Sequence, residues 1–207
     1  MRSMLADNGL AVAEVDPAWW WLPTASEVHI DPAFDAQQVF RFGEDELLTM
    51  AGAVGARSLN AADVFVGTWD IDEAAEAFAT LCAQAGEHGM LVDIEWLPWS
   101  RIPDLATALA IVETAGAPHG GLIIDAGHLI RAGVELTELA ELTELADVPG
   151  DLILGIQLDD GSQATESNLV EATLHHRRLP GDGEFDLVGL LRTLAATGTR
   201  TILEEST

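Results

Sequence analysis

The feature that most constrains this chain is a recurrence of short apolar runs separated by helical patterns. The runs begin near Leu10 (LAVAEVD), Ser58 (SLNAADVFV), Leu91 (LVDIEW), Gly121 (GLIIDA), Leu152 (LILGIQLD) and Thr201 (TILEES). Between them the apolar spacing fits helices over 44–55, 72–88, 102–115, 136–146 and 187–197. Asp72 and Asp104 read as helix starts, and Gly55, Gly89 and Gly198 as stops. Strands and helices alternating at this pitch predict βαβ units and a parallel sheet. In a barrel of parallel strands all C-terminal strand ends open on one face, where active sites form. Four oxygen donors stand at or near such ends: Glu95, Asp125, Gln157 and Glu204. Such a set suits one hard or borderline divalent cation.

Six strand–helix units can be counted, whereas a full eight-stranded barrel usually takes ~250 residues. The 207 residues therefore predict one domain over 1–207, an α/β, TIM-barrel-like repeat with six of the eight units. The first two strands with their helices, and the closing helix, are the pieces expected to be absent. Such a barrel leaves two strand edges, which invite association into a homo-oligomer or occlusion by the N-terminal segment. The hexapeptide ELTELA, tandem at Glu135 and Glu141, reads as a duplication inside an outer helix rather than a repeat architecture. The stretch 160–168 (DGSQATESN) reads as a polar loop on the active face.

Charge narrows the partners. The net charge is −26 and every basic side chain is Arg. That surface repels a phosphate backbone, so no nucleic-acid partner is expected. No apolar stretch approaches the ~18 residues that span a membrane. The N-terminus MRSMLADNGL lacks the apolar core of a secretory signal. The lone Cys82 lies in a helical, Ala-rich pattern and reads as a buried core thiol. Together these predict a cytoplasmic protein.

Several residues carry candidate chemistry. Glu95, between Ile94 and Trp96, is a carboxylate that is costly to bury without a metal or a basic partner. Pro98 and Trp99 stiffen the following loop, and Trp99 adds an aromatic wall. Asp125 and His128 form D-x-x-H at an apolar strand end; Asp125 reads as a ligand and His128 as a substrate-facing or ligand-supporting group. Gln157 offers an amide oxygen, and Asp159, two residues on, is placed to orient the ligand shell. Glu204 and Glu205 point to opposite sides of a strand, and Glu204 is taken as the one entering the site. Arg177 and Arg178 precede the fixed turn LPGDGEFD, where an Arg can clamp a substrate oxygen or anion. Of Trp19, Trp20 and Trp21, at least one is expected at a pocket mouth, and Trp20 is the candidate; the others pack in the core.

DIEWLPWS, IIDAGH, IQLDD, HRRLPGDGEFDL and the late LEE together resemble the xylose isomerase-like TIM-barrel superfamily of sugar phosphate isomerases and epimerases, over most of the chain. In that family a Glu, an Asp, a His or Gln, and a second Glu bind one divalent metal, usually Mn²⁺, Mg²⁺ or Co²⁺. The resemblance implies these roles for Glu95, Asp125, Gln157 and Glu204. Gln at the third place is similar to the hydroxypyruvate isomerase branch. His128 falls on a substrate-contacting position, and Arg177 best matches the Arg upstream of the PG-x-GE turn. The ending LEEST departs from the family's usual LEV.

The expected activity is metal-dependent isomerisation or epimerisation of a small, sugar-like hydroxy-carbonyl compound through an enediolate. A cation would polarise the carbonyl, and one of Glu95 and Glu204 would remove a proton that the other returns. Arg177 and His128 would hold substrate oxygens. Enolate chemistry serves a lyase or dehydratase equally well, and a truncated, non-catalytic paralogue is the third reading. A DNA-repair endonuclease on the same fold would need a richer His set and a basic groove, and the chain has neither.

Overall fold

The structure is a computed structural model that describes residues 1–25, 40–65, 67–131, 144–164 and 168–199, and the backbone of 202–205. The helix expected over 136–146 and both ELTELA copies fall largely outside the described residues. Strand β1 is Glu14–Ala18, β2 Ser58–Ala62, β3 Leu91–Glu95, β4 Gly120–Asp125, β5 Ile153–Leu158 and β6 Ile202–Glu205. Helix α1 is Arg2–Asp7, α2 Glu44–Val54, α3 Ile71–Glu87, α4 Leu105–Ala115, α5 Ala126–Arg131, α6 Leu169–His175 and α7 Leu187–Ala196. The chain divides into two compact units, Met1–Ile94 with Ala110–Gly120, and Glu95–Leu109 with Gly121–Thr207. Among the described residues no helix is long and apolar enough to cross a membrane.

In the first unit the strands stand in chain order, and β1 pairs with β2 in parallel. Helix α2 starts with Glu44, Asp45 and Glu46 in its first turn, where the helix dipole favours negative charge. It stops at Gly55, whose φ of 75° is a left-handed conformation that glycine adopts without steric cost. Helix α3 begins one residue before the expected Asp72, because Asp70 rather than Asp72 is the cap. The Glu73 amide donates to Asp70 Oδ1, and the Asp70 amide to Glu73 Oε2, both at 2.9 Å. Its buried residues Ala74, Ala75, Phe78, Leu81, Cys82 and Ala85 recur with helical period and form the core face. Strand β1 starts at Glu14, later than the run at Leu10 suggests, and β2 ends at Ala62, before the rest of its apolar run.

In the second unit β4, β5 and β6 also follow chain order, and both pairings are parallel. Every residue of β4 (GGLIID) is buried, as befits a parallel strand covered on both faces. The register sets Asp125 beside Gln157 and Gln157 beside Glu204. Three of the four predicted donor positions thus lie level at the C-terminal ends of adjacent strands. Two short helices are additions to the sequence reading: α5, which follows β4 directly, and α6, which Asn168 caps through its side chain to the Glu171 amide at 3.1 Å.

Candidate metal centre

Glu95, Asp125 and His128 come together in the second unit. All three are buried, and one donor atom from each lies within 4.8 Å of the others. Glu95 is the last residue of β3 and Asp125 the last of β4. The local sequence explains the geometry at Asp125. Its Oδ1 accepts the His128 amide at 2.7 Å, three residues on, which is the contact of a helix cap. D-x-x-H therefore ends a strand, starts α5 and brings the imidazole back to the carboxylate's side. His128 Nε2 lies 3.2 Å from Glu95 Oε1. The Trp99 ring meets His128 edge-on at 5.4 Å, and its loop is fixed by Ser100, whose hydroxyl accepts the Ile102 amide at 3.0 Å.

Arg177 reaches the cluster from a site beyond α6. Its Nη1 donates to Asp125 Oδ2 at 2.7 Å and lies 3.2 Å from Asp159 Oδ2, while Nη2 is 3.3 Å from His128 Nε2. Its Nε donates to the Thr173 carbonyl at 3.1 Å. Arg131 approaches Asp159 from α5, Nη1 to Oδ2 at 3.8 Å. Arg131 was not anticipated, although its position three residues after His128 puts it on the same helix face.

The charges explain the titration of the cluster. Burial alone would deny His128 its proton, but Asp125 and the Glu95 carboxylate beside it outweigh that and raise its pKa above the ordinary histidine value. Burial likewise opposes ionisation of Asp125, yet His128 and Arg177 hold its carboxyl below the ordinary range. Burial, with Asp125 nearby, pushes Asp159 up to about 6 against the pull of Arg177 and Arg131. With no cation bound, Asp125 and Glu95 thus favour the imidazolium form of His128. Two buried carboxylates converging with an imidazole that is free to lose its proton fit a divalent cation.

Gln157 is half-buried, in register with Asp125. Glu204 is located by its backbone, in register with Gln157, whereas Glu205 pairs with Leu158. Trp20 belongs to the first unit. Its amide donates to Glu44 Oε1 at 2.8 Å, its indole donates to the Phe40 carbonyl at 3.0 Å, and its ring stacks on Phe65 at 4.8 Å. Trp20 and Trp21 line an open cavity of about 610 Å³ together with Glu44 and Gln84. Trp21 is otherwise buried, its indole donating to the Ala62 carbonyl.

Residues 2–206 match the family described as the xylose isomerase-like TIM barrel. The chain belongs to that family, and its fold is α/β and TIM-barrel-like. A 3-dehydroshikimate dehydratase of Pseudomonas putida is 31% identical over 117 residues, which cover 56% of this chain and 17% of that protein. The chain thus spans about a sixth of the length of this curated relative. Among solved structures, a xylose isomerase-like TIM barrel/4-hydroxyphenylpyruvate dioxygenase fusion protein superposes with a TM-score of 0.79 at 24% identity, over 99% of this chain and 31% of that one. The IOLI protein with a bound zinc atom superposes with a TM-score of 0.74 at 16% identity, over 98% and 70%.

Proposed function

We propose that this chain forms the metal site of a lyase that removes water from a small hydroxy-carbonyl substrate, in the manner of a dehydratase. The observation that carries the reading is the buried convergence of Glu95 and Asp125, at strand ends, with His128 of α5, and Arg177 paired to Asp125. The dehydratase relative supports water loss over isomerisation, because it is similar in sequence, at 31% identity over 117 residues. The zinc-containing neighbour supports the cation only through shared fold.

Glu95 and Asp125 would hold the cation, with Gln157 and Glu204 completing the ligand set from the adjacent strands. Such an ion supplies Lewis acidity at a substrate carbonyl oxygen. Glu95 or Glu204 takes the proton from the carbon next to that carbonyl, and the C–H electron pair moves into the enolate. His128, whose Nε2 lies 3.2 Å from Glu95 Oε1, delivers a proton in its imidazolium form to the departing hydroxyl as the C–O bond breaks. The released products are water and a conjugated carbonyl compound. Arg177 holds a substrate oxygen, and the Trp99 ring packed against His128 keeps the imidazole in place.

The test uses purified protein with Mn²⁺, Mg²⁺ or Co²⁺ and 3-dehydroshikimate, following the rise in near-ultraviolet absorbance that added conjugation gives. Glu95→Gln is expected to lower the rate by roughly 10²- to 10⁴-fold, the usual contribution of a positioned acid or base. Deuterium uptake from D₂O by a ketose or aldose panel, without water loss, would instead make the protein an isomerase or epimerase. Mn²⁺-loaded protein that does neither chemistry would sink the enzyme reading.

A further inference from the structure

The Arg177 guanidinium is shared by two carboxylates. One nitrogen, Nη1, contacts both Asp125 Oδ2 and Asp159 Oδ2. Asp125 is the carboxylate a cation would need, and Arg177 occupies Oδ2, the oxygen that the His128 amide does not use. Asp159 is fully buried, and among the described residues neither of its oxygens accepts a hydrogen bond. It therefore has open acceptor sites beside an arginine already within ion-pair distance. Buried carboxylates are ordinarily hydrogen-bonded, so one held with spare capacity is a place for a donor to go.

Resting on the metal reading above, we propose that Asp159 is a positioning residue: it is the second seat of the Arg177 guanidinium, which moves onto it when a divalent cation takes Asp125. Arg177 is then the cation that neutralises Asp125 before loading, and the substrate clamp afterwards. Removing Asp159 leaves Arg177 committed to Asp125, in competition with the metal. Gly127 belongs to the same device. A Cβ at Gly127 would lie 2.5 Å from Asp159 Oδ2 and 2.7 Å from Arg131 Nη1, so an alanine there displaces the seat without changing a charge.

The experiment is a double-mutant cycle on Mn²⁺ affinity, read by calorimetry and by the electron paramagnetic resonance of free Mn²⁺. Asp159→Asn is expected to weaken Mn²⁺ binding by about 10- to 100-fold, the usual effect of losing a group that supports a metal ligand. In an Arg177→Met background the same change should cost less than about threefold, because the competitor is gone; coupling of this kind is what the cycle isolates. A merely electrostatic role for Asp159 predicts equal losses in both backgrounds, and that result overturns the proposal. Should Asp159→Asn fail to fold, Gly127→Ala serves in its place. It keeps every charge, and it should weaken Mn²⁺ binding with Arg177 present and not in its absence. Unchanged affinity in Gly127→Ala with Arg177 present also overturns the proposal. Wild-type protein that binds no Mn²⁺ would bring down the metal reading itself, an outcome distinct from equal losses in the two backgrounds.

Discussion

Replacing Asp160 with asparagine is expected to destabilise the fold by about 3 kcal/mol at neutral pH. Asp160 Oδ1 accepts the amides of Gly161 at 2.8 Å and Phe185 at 3.0 Å, and Oδ2 accepts that of Gly181 at 2.9 Å. Its backbone is bonded in both directions to Arg178 at 2.9 Å. This one side chain therefore ties the loop after β5 to the turn 180–185. An amide keeps one acceptor oxygen and presents a donor to the amide on the other side. A hydrogen bond to a charged group contributes about 1.5–3 kcal/mol, against about 0.5–1.5 for a neutral one. One charged bond is lost and two become neutral; water reaching the exposed Gly181 returns part of the loss. For a domain of this size, about 3 kcal/mol lowers Tm by roughly 6–12 °C.

The pH dependence of that difference is a second check on the same reasoning. Burial raises the pKa of Asp160, but the backbone donors Phe185, Gly161, Gly181 and Gly183 outweigh it and hold the carboxyl below its ordinary value. A depressed folded pKa gives stability that is present above the unfolded value of about 3.9 and lost as pH falls through the folded one. The gap between wild type and Asp160→Asn, measured by thermal or urea unfolding, should therefore be full at pH 6–7 by that linkage and should narrow below about pH 4. A melting shift under about 2 °C, or a gap that stays constant down to low pH, would refute the argument.

Three other outcomes follow from the same geometry. The His128 imidazole should titrate above about 6.5 by NMR in the metal-free protein, and Glu95→Gln should lower that value, because a partner that favours the imidazolium has gone. Asp70→Ala removes the reciprocal cap of α3 and should cost about 1 kcal/mol in urea unfolding. Cys82, which burial together with Asp93 pushes up to about 12, should resist an aromatic disulfide reagent at mild pH until the protein is unfolded.

Much of the architecture is legible in the chain because its signals are local. The runs LVDIE and GLIID are apolar over a strand's length, and they become β3 and β4 with boundaries within a residue of expectation. Gly55, Gly89 and Gly198 are read as stops, and all three have positive φ. The D-x-x-H spacing is that of a helix cap as well as of a ligand pair. The short helices α5 and α6 escape notice because six or seven residues carry too little period to separate a helix from a polar loop. The contacts that organise the cluster join residues far apart in the chain. Arg177 reaches Asp125 across 52 positions, and Asp160 reaches Phe185 across 25. No periodicity announces such pairs. Placing Arg177 on a fixed turn was possible from LPGDGEFD, but which carboxylate it meets is decided by the packing of β4, β5 and α6.

Because Asp125 closes β4 and opens α5, one side chain serves local folding and, in the proposed metal site, would serve ion capture as well. A variant made to blunt coordination at that position also unfastens the first turn of the helix that carries His128 and Arg131. Diminished activity after such a change would mix two injuries. Natural drift there is correspondingly hemmed in: a replacement has to serve as a helix initiator and an anionic donor at once, and very few amino acids satisfy both.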